Sequence, residues 1–279
     1  MKFIGLDIDK TPWVGRLDEG GVLPLATVTE FWADARGWLE RAATAPGQSL
    51  PRDTVKEIPF VPASARIFCI GLNYRAHAAE GGFTPPEFPT IFGRWTTSLS
   101  VTDTAVPLPL GERGLDWEAE VAAYIATPVW NVDEAEAAEA VFGYSTFNDL
   151  TARRAQKLTA QWTLGKNADK SGPAGHLVSA DEVGSLADGL QVRTRVNGVE
   201  VQNGNTRDMI FSVENIIALI SKTMTLHPGD VIVSGTPEGV GYVRTPPWYL
   251  GEGDVVEVEI DRLGTLVTPI GGAEARVGA

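Results

Sequence analysis

The stretch DWEAEVAAYIA, residues 116–126, sets acids at every second position, Asp116, Glu118 and Glu120, and then runs into the unbroken apolar tract Val121 to Ala126. Alternation with a period of two is a strand signal, and the tract that follows reads as the buried continuation of that strand. Glu118 and Glu120 would then project from one face, with Asp116 joining them at the strand entry. Adjacent carboxylates repel each other, and burying one is costly unless it is paired or bound to a metal. On these residues alone two readings stay open. One is a solvated strand edge, the commoner origin of such a pattern. The other is a site where a divalent cation takes the carboxylates as oxygen ligands.

Working outward, FGYSTFNDLTARRAQ (residues 142–156) offers Asp149 as a third oxygen ligand, although Asn148-Asp149 also suits a simple cap on a short helix. Three carboxylates suit Mg²⁺ or Mn²⁺, and the lack of a Cys or His cluster disfavours zinc. Upstream, His77 and Glu80 stand three apart in a short helical stretch, NYRAHAAE, that Gly81-Gly82 and Pro85-Pro86 close. A carboxylate touching an imidazole orients it and raises its basicity, as a general base requires, while an exposed pair of this spacing contributes little. Lys166, in GKNADK, is placed to steady a developing enolate if it is partly buried near a metal. VSGTPEGVG (233–241) lacks the spacing and lysine of a phosphate loop, but its amides and Thr236 can hold a carboxylate. His227 reads as a surface residue and His176 as a structural or rim one.

The rest of the chain frames these positions. Its 279 residues suit one large domain with a small one attached, and 43% hydrophobic content is that of a globular protein. A net charge of -13 argues against nucleic-acid and anionic-membrane partners. The single cysteine, Cys69, lies in an apolar run and reads as core, and the absence of an internal disulfide points to the cytoplasm. No signal peptide or bilayer-spanning run is read. Residues 1–28 look like short strands, 30–43 like one helix, and 44–64 like a Pro-rich linker, with a domain boundary near residue 62. Helices are expected at 132–141, capped by Asp133 with Glu136, and at 212–224, capped by Ser212. A hairpin is expected around Asn197-Gly198, with strands at 230–235, 254–260 and 264–270. The pattern is α+β, β-rich, with a few helices packed outside.

GLNYRAHAAE, DWEAEVAAYI, GYSTFNDLTARRAQ, GKNADKSGP and LHPGDVIVSGTPEGVG together resemble, in order and spacing, the fumarylacetoacetate hydrolase family, over about residues 66–270. The resemblance implies a mixed β-roll with peripheral helices (63–279), preceded by a small lead-in domain (1–62), usually as a homodimer. It implies Glu118, Glu120 and Asp149 as ligands of Mg²⁺ or Mn²⁺, and His77 with Glu80 as the pair that activates water, on a helix that orders when substrate binds. Arg153, Gln156 and Lys166 fall on positions that contact keto-acid oxygens, and Thr236 on a carboxylate-binding one. The implied reaction is hydrolysis of a C–C bond in an acylpyruvate or related β-diketo acid, as met in aromatic catabolism, through a metal-stabilised enolate. The alternative is decarboxylation of an oxaloacetate-like acid or isomerisation of a 2-hydroxydienoate at the same site. The chain departs from the family's usual pattern at Arg94, at Arg154 and at Ala174-Gly175-His176. These departures are expected to leave the metal set and the dyad untouched, with Arg154 and His176 at the pocket rim.

Overall fold

The computed structural model describes residues 1–82, 84 and 86–273. At its centre, strand Ala119–Ile125 pairs antiparallel with Val141–Asn148. Every residue of both strands is buried, which explains the missing polar alternation in the apolar tract. Val121, Ala123 and Ile125 enter one core, together with the second sheet and helix Val213–Ser221. Ala122, Tyr124 and Ala126 enter the other, among the aromatic residues of the N-terminal segment. A strand covered on both faces needs no polar side.

The large sheet runs, edge to edge, through Gly21–Thr27, Thr11–Asp18, Lys2–Ile8, Leu177–Ser179, Val141–Asn148, Ala119–Ile125, Val231–Val233, Ile67–Gly71 and Thr90–Arg94. Its pairing is mixed: Val231–Val233 lies parallel to Ile67–Gly71 and antiparallel to Ala119–Ile125. A second sheet of five strands contains the hairpin Gln191–Val196 and Val199–Asn205. Asn197 and Gly198 both take positive φ, 50° and 79°, the two left-handed positions that a two-residue type I′ turn requires.

The N-terminal strands are not set apart in space. Lys2 and Phe3 pair with Val178 and Leu177, and the rings of Phe3, Phe31 and Phe142 meet edge-on or tilted with centroids 5.4–5.7 Å apart. The single helix expected over 30–43 is two, Val28–Ala33 and Ala35–Ala42. Asp34 ends the first and caps the second by accepting from the Gly37 N–H. Much of the expected linker is also held. Leu50 bridges to Val22, and Lys56–Ile58 pairs with Lys2–Ile8. At Gly5 a Cβ would stand 2.2 Å from the Ile58 carbonyl oxygen, so only glycine permits that strand to close. The helices Glu134–Glu139 and Val213–Ser221 carry the caps that their sequences predict, from Asp133 with Glu136 and from Ser212.

Candidate active site

The register of the central pair brings the acids together. Glu120 lies opposite Phe147 and Ala119 opposite Asn148, and the Asp149 N–H donates to the Glu118 carbonyl at 2.9 Å. As a result Glu118, Glu120 and Asp149, all buried, present ligand oxygens within 4.8 Å of one another. Asp116, which its spacing also allowed, does not join them. Its carboxylate accepts from the backbone N–H groups of Trp117, Gly241 and Tyr242 at 2.9, 2.6 and 3.1 Å and from Arg153 Nε at 2.8 Å. Those four donors turn it towards the glycine-rich loop and satisfy it there.

Cations are built into the cluster. Lys166, 1% exposed, donates from Nζ to Glu118 Oε2 at 2.6 Å and to Asp149 Oδ2 at 2.5 Å. One guanidinium nitrogen of Arg153 lies 2.7 Å from Glu118 Oε1. The fully buried Arg94 side chain donates from Nε to Asp149, with its other nitrogens on Ser171 and on the Leu150 carbonyl. The expectation that the departure at Arg94 leaves the carboxylate set untouched is therefore wrong. An isolated arginine on strand Thr90–Arg94 gives no local signal that the fold will lay it against residue 149. Of the two readings of His176, structural or rim, the geometry fits the first: it lies 3.4 Å from Glu57, beside Arg52, against the N-terminal segment.

Burial would raise the Glu118 carboxyl, but Lys166 and Arg153 overcome it and hold the group down at about 2. For Glu120, burial and the neighbouring Asp149 and Glu118 charges push the carboxyl well above its usual range. Four buried carboxylates, counting Asp116, thus face three buried cations. Glu120 is the acid without an ion-pair partner among the described residues; its polar contact is a short hydrogen bond from the Gly235 N–H at 2.5 Å. A deficit of positive charge beside three converging carboxylate oxygens is what an oxygen-preferring divalent cation fits.

The cluster forms one wall of a cavity of roughly 350 Å³. His77, Arg153, Gln156, Lys166 and Thr236 also line it, with Phe92, Trp162 and Tyr242 supplying apolar and aromatic surface. Asp149 and Glu80 stand behind the lining residues they contact. His77 Nδ1 is 2.8 Å from Glu80 Oε1, and the Glu80 carboxylate accepts from the Gly239 N–H at 3.0 and 3.2 Å. The short helix Arg75–Glu80 is therefore tied to the same loop that carries Thr236. Two further residues, which the sequence does not single out, hold these parts. Gln202 donates to Thr236 Oγ1 and to the Pro237 carbonyl, both at 2.9 Å, and accepts from the Ala119 N–H. Asn73 donates to the Phe211 and Ser234 carbonyls and accepts from the Phe211 N–H. Between that anchor and strand Ile67–Gly71, Leu72 sits at φ 59°, a left-handed conformation rare for a bulky residue, and lines the cavity.

Residues 66–271 match the family model for the fumarylacetoacetate hydrolase C-terminal domain. The chain belongs to the fumarylacetoacetate hydrolase family. Oxaloacetate tautomerase fahd2 of Xenopus laevis, a mitochondrial protein, is 39% identical over 223 residues, covering 79% of this chain and 70% of the relative. Among solved structures of the fold, a Mycobacterium smegmatis protein provisionally named HpcE superposes with a TM-score of 0.89 at 31% identity, over 98% of this chain and all of the other. The fumarylpyruvate hydrolase of Pseudomonas aeruginosa, solved with Mn²⁺ and pyruvate, superposes with a TM-score of 0.67 at 30% identity, over 77% and 91% of the two chains. Family members are enzymes whose names include a hydrolase and a tautomerase, and the acidic cluster of this chain is a candidate divalent-metal site. Among the described residues no helix is long and apolar enough to cross a membrane.

Proposed function

We propose that this chain hydrolyses a C–C bond in an acylpyruvate or related β-diketo acid, with Mg²⁺ or Mn²⁺ held by Glu118, Glu120 and Asp149. The observation that carries the reading is that His77, backed by Glu80, lines the same cavity as Glu118 and Glu120 of the carboxylate cluster. A divalent ion held by these three carboxylates would supply Lewis-acid polarisation of the dicarbonyl.

The chain's own residues supply the rest. A hydrogen on His77 Nδ1 donates to Glu80, which fixes the tautomer and leaves Nε2 free to take a proton from water. The water oxygen bonds to the distal carbonyl carbon, the C–C bond to the pyruvate half breaks, and that half is released after it regains a proton at carbon. Arg153, Gln156 and Lys166 bind the keto-acid oxygens. Because Gln202 donates to Thr236 Oγ1, the threonine hydroxyl keeps its own hydrogen for a substrate carboxylate. Fumarylpyruvate hydrolysis by a structural neighbour supports this chemistry.

Replacing His77 with Ala should reduce hydrolysis by roughly a hundred- to ten-thousandfold, the usual range for a general base, with metal affinity nearly unchanged. Release of the metal by that variant would show instead that the imidazole is a ligand. One second reading has specific support. The similarity to an oxaloacetate tautomerase suits a proton transfer at carbon without an attacking water. A panel of acylpyruvates, oxaloacetate and 2-hydroxydienoates, with and without Mg²⁺ or Mn²⁺, separates hydrolysis from tautomerisation, decarboxylation and isomerisation.

A further inference from the structure

Beside the candidate site lies a second, smaller cavity of roughly 260 Å³, lined by Glu112, Arg113, Gly114, Arg153, Arg154, Lys157 and Tyr249. Arg153 and Lys157 line both cavities, so the two adjoin. Four of the seven lining residues are cationic, in a chain whose net charge is -13.

The acid present does not neutralise them. Glu112 accepts from the Arg154 and Ala155 N–H groups at 3.0 and 2.9 Å and stands 3.7 Å from Arg154 Nε. Arg154 donates its Nε hydrogen to the Gly111 carbonyl at 2.8 Å. Arg153 is committed to Asp116 and Glu118. Lys157 and Arg113 are left. Lys157 is exposed, has its ammonium 5.0 Å from the centre of the Tyr242 ring and makes no ion pair among the described residues. Arg113 is exposed and has no ion pair or side-chain hydrogen bond among them. Two uncommitted cations, Lys157 on both cavities and Arg113 on the second, attract a negative group, and nearby low-dielectric walls strengthen that field.

We infer that the substrate's acyl arm ends in a carboxylate, which reaches past Lys157 into the second cavity and is recognised there by Lys157 and Arg113. The inference rests on the proposed function only in placing the keto-acid end at the carboxylate cluster. It assigns specificity to two residues outside the metal set and the dyad.

Unreactive keto acids separate this inference from the hydrolysis reading, because they report binding alone. With the full chain and Mn²⁺, calorimetric titration compares 2-oxoadipate with 2-oxohexanoate, and 2-oxopimelate with 2-oxoheptanoate. Each pair differs in its terminal carboxylate. In at least one pair the dicarboxylate should bind about tenfold more tightly, because an exposed charge contact contributes a few-fold and two act together. Lys157→Met with Arg113→Gln should bring that ratio close to one, and Lys157→Glu should invert it. Equal affinity within both pairs, absence of binding by any of the four acids, or a preference that survives in the double variant would overturn the inference. A failure of acylpyruvate turnover with the preference intact would instead count against hydrolysis alone.

Discussion

Glu120 is where charge balance at the site is most exposed to test. Its carboxyl is held well above the ordinary range by burial and by Asp149 and Glu118. The folded protein therefore keeps a proton there that the unfolded chain gives up, so in EDTA this group's stabilising effect is complete below 4.5 and disappears as pH rises through its raised value. Glu118 has the opposite sign. Its value of about 2 makes its contribution present above 4.5 and lost as pH falls towards 2. In EDTA at neutral pH, Glu120→Gln should melt at or above the wild-type temperature, and its Tm should fall less with rising pH. Added Mn²⁺ should raise the wild-type Tm clearly more than that of the variant. Equal Mn²⁺ shifts in thermal unfolding would remove Glu120 from the ligand set. For activity, EDTA should abolish turnover, and Mg²⁺ or Mn²⁺ should restore it.

Among the elements, the helix Arg75–Glu80 is tied to the rest of the site by side chains at its two ends. Asn73 pins its base and Glu80 its far end, and beyond it Gly82 faces open space. Hydrogen exchange over the segment Asn73 to Phe88 should slow when oxalate or pyruvate binds with metal, as for a lid; Phe83 and Pro85 of that segment lie outside the described residues. Unchanged exchange would make it a fixed turn. Asn73→Ala should cost about 1–3 kcal/mol in denaturant unfolding, because it strips hydrogen bonds from the half-buried Phe211 backbone and the buried Ser234 carbonyl. Local chemistry made some of these elements legible in advance. The caps at Asp133 and Ser212, the Asn197-Gly198 turn and the spacing of Glu118, Glu120, His77 and Glu80 all lie within a few residues of what they act on. Arg94, Gln202 and Asn73 act across 55, 34 and 161 positions of chain. No periodicity carries such contacts, and the resemblance to the family pointed away from Arg94. The split at Asp34 is hidden for another reason: Phe31, Trp38 and Leu39 suit a single apolar face.

Over the whole molecule, the N-terminal segment and the central strands share one aromatic core. Phe31 is fully buried, with ring centroids 5.4–5.7 Å from those of Phe3, Trp32 and Phe142. Phe31→Ala should cost about 3–5 kcal/mol, the range for deleting a buried phenyl ring. If residues 1–62 act as a separate domain, that loss will appear as a separate early transition. Because the sheet is continuous across that boundary, we expect a single transition, coincident by tryptophan fluorescence and by far-UV circular dichroism. Two resolved transitions would restore the independent domain.

The register that sets Glu120 against Phe147 also separates two kinds of inheritance. The carboxylates hang on a strand pair buried on both faces, where one residue of slippage would scatter them. Several residues that line the two cavities away from the carboxylates sit instead at exposed positions, Arg113 and Arg154 on the second, Thr159 on the first and Lys157 on both. Drift in the second group is cheap to the fold and leaves the first untouched. A lineage built this way can diversify its diet while its chemistry stands still. Directed libraries should recover new acceptors by varying Arg113, Arg154, Lys157 and Thr159, and almost nothing by varying strand Ala119–Ile125.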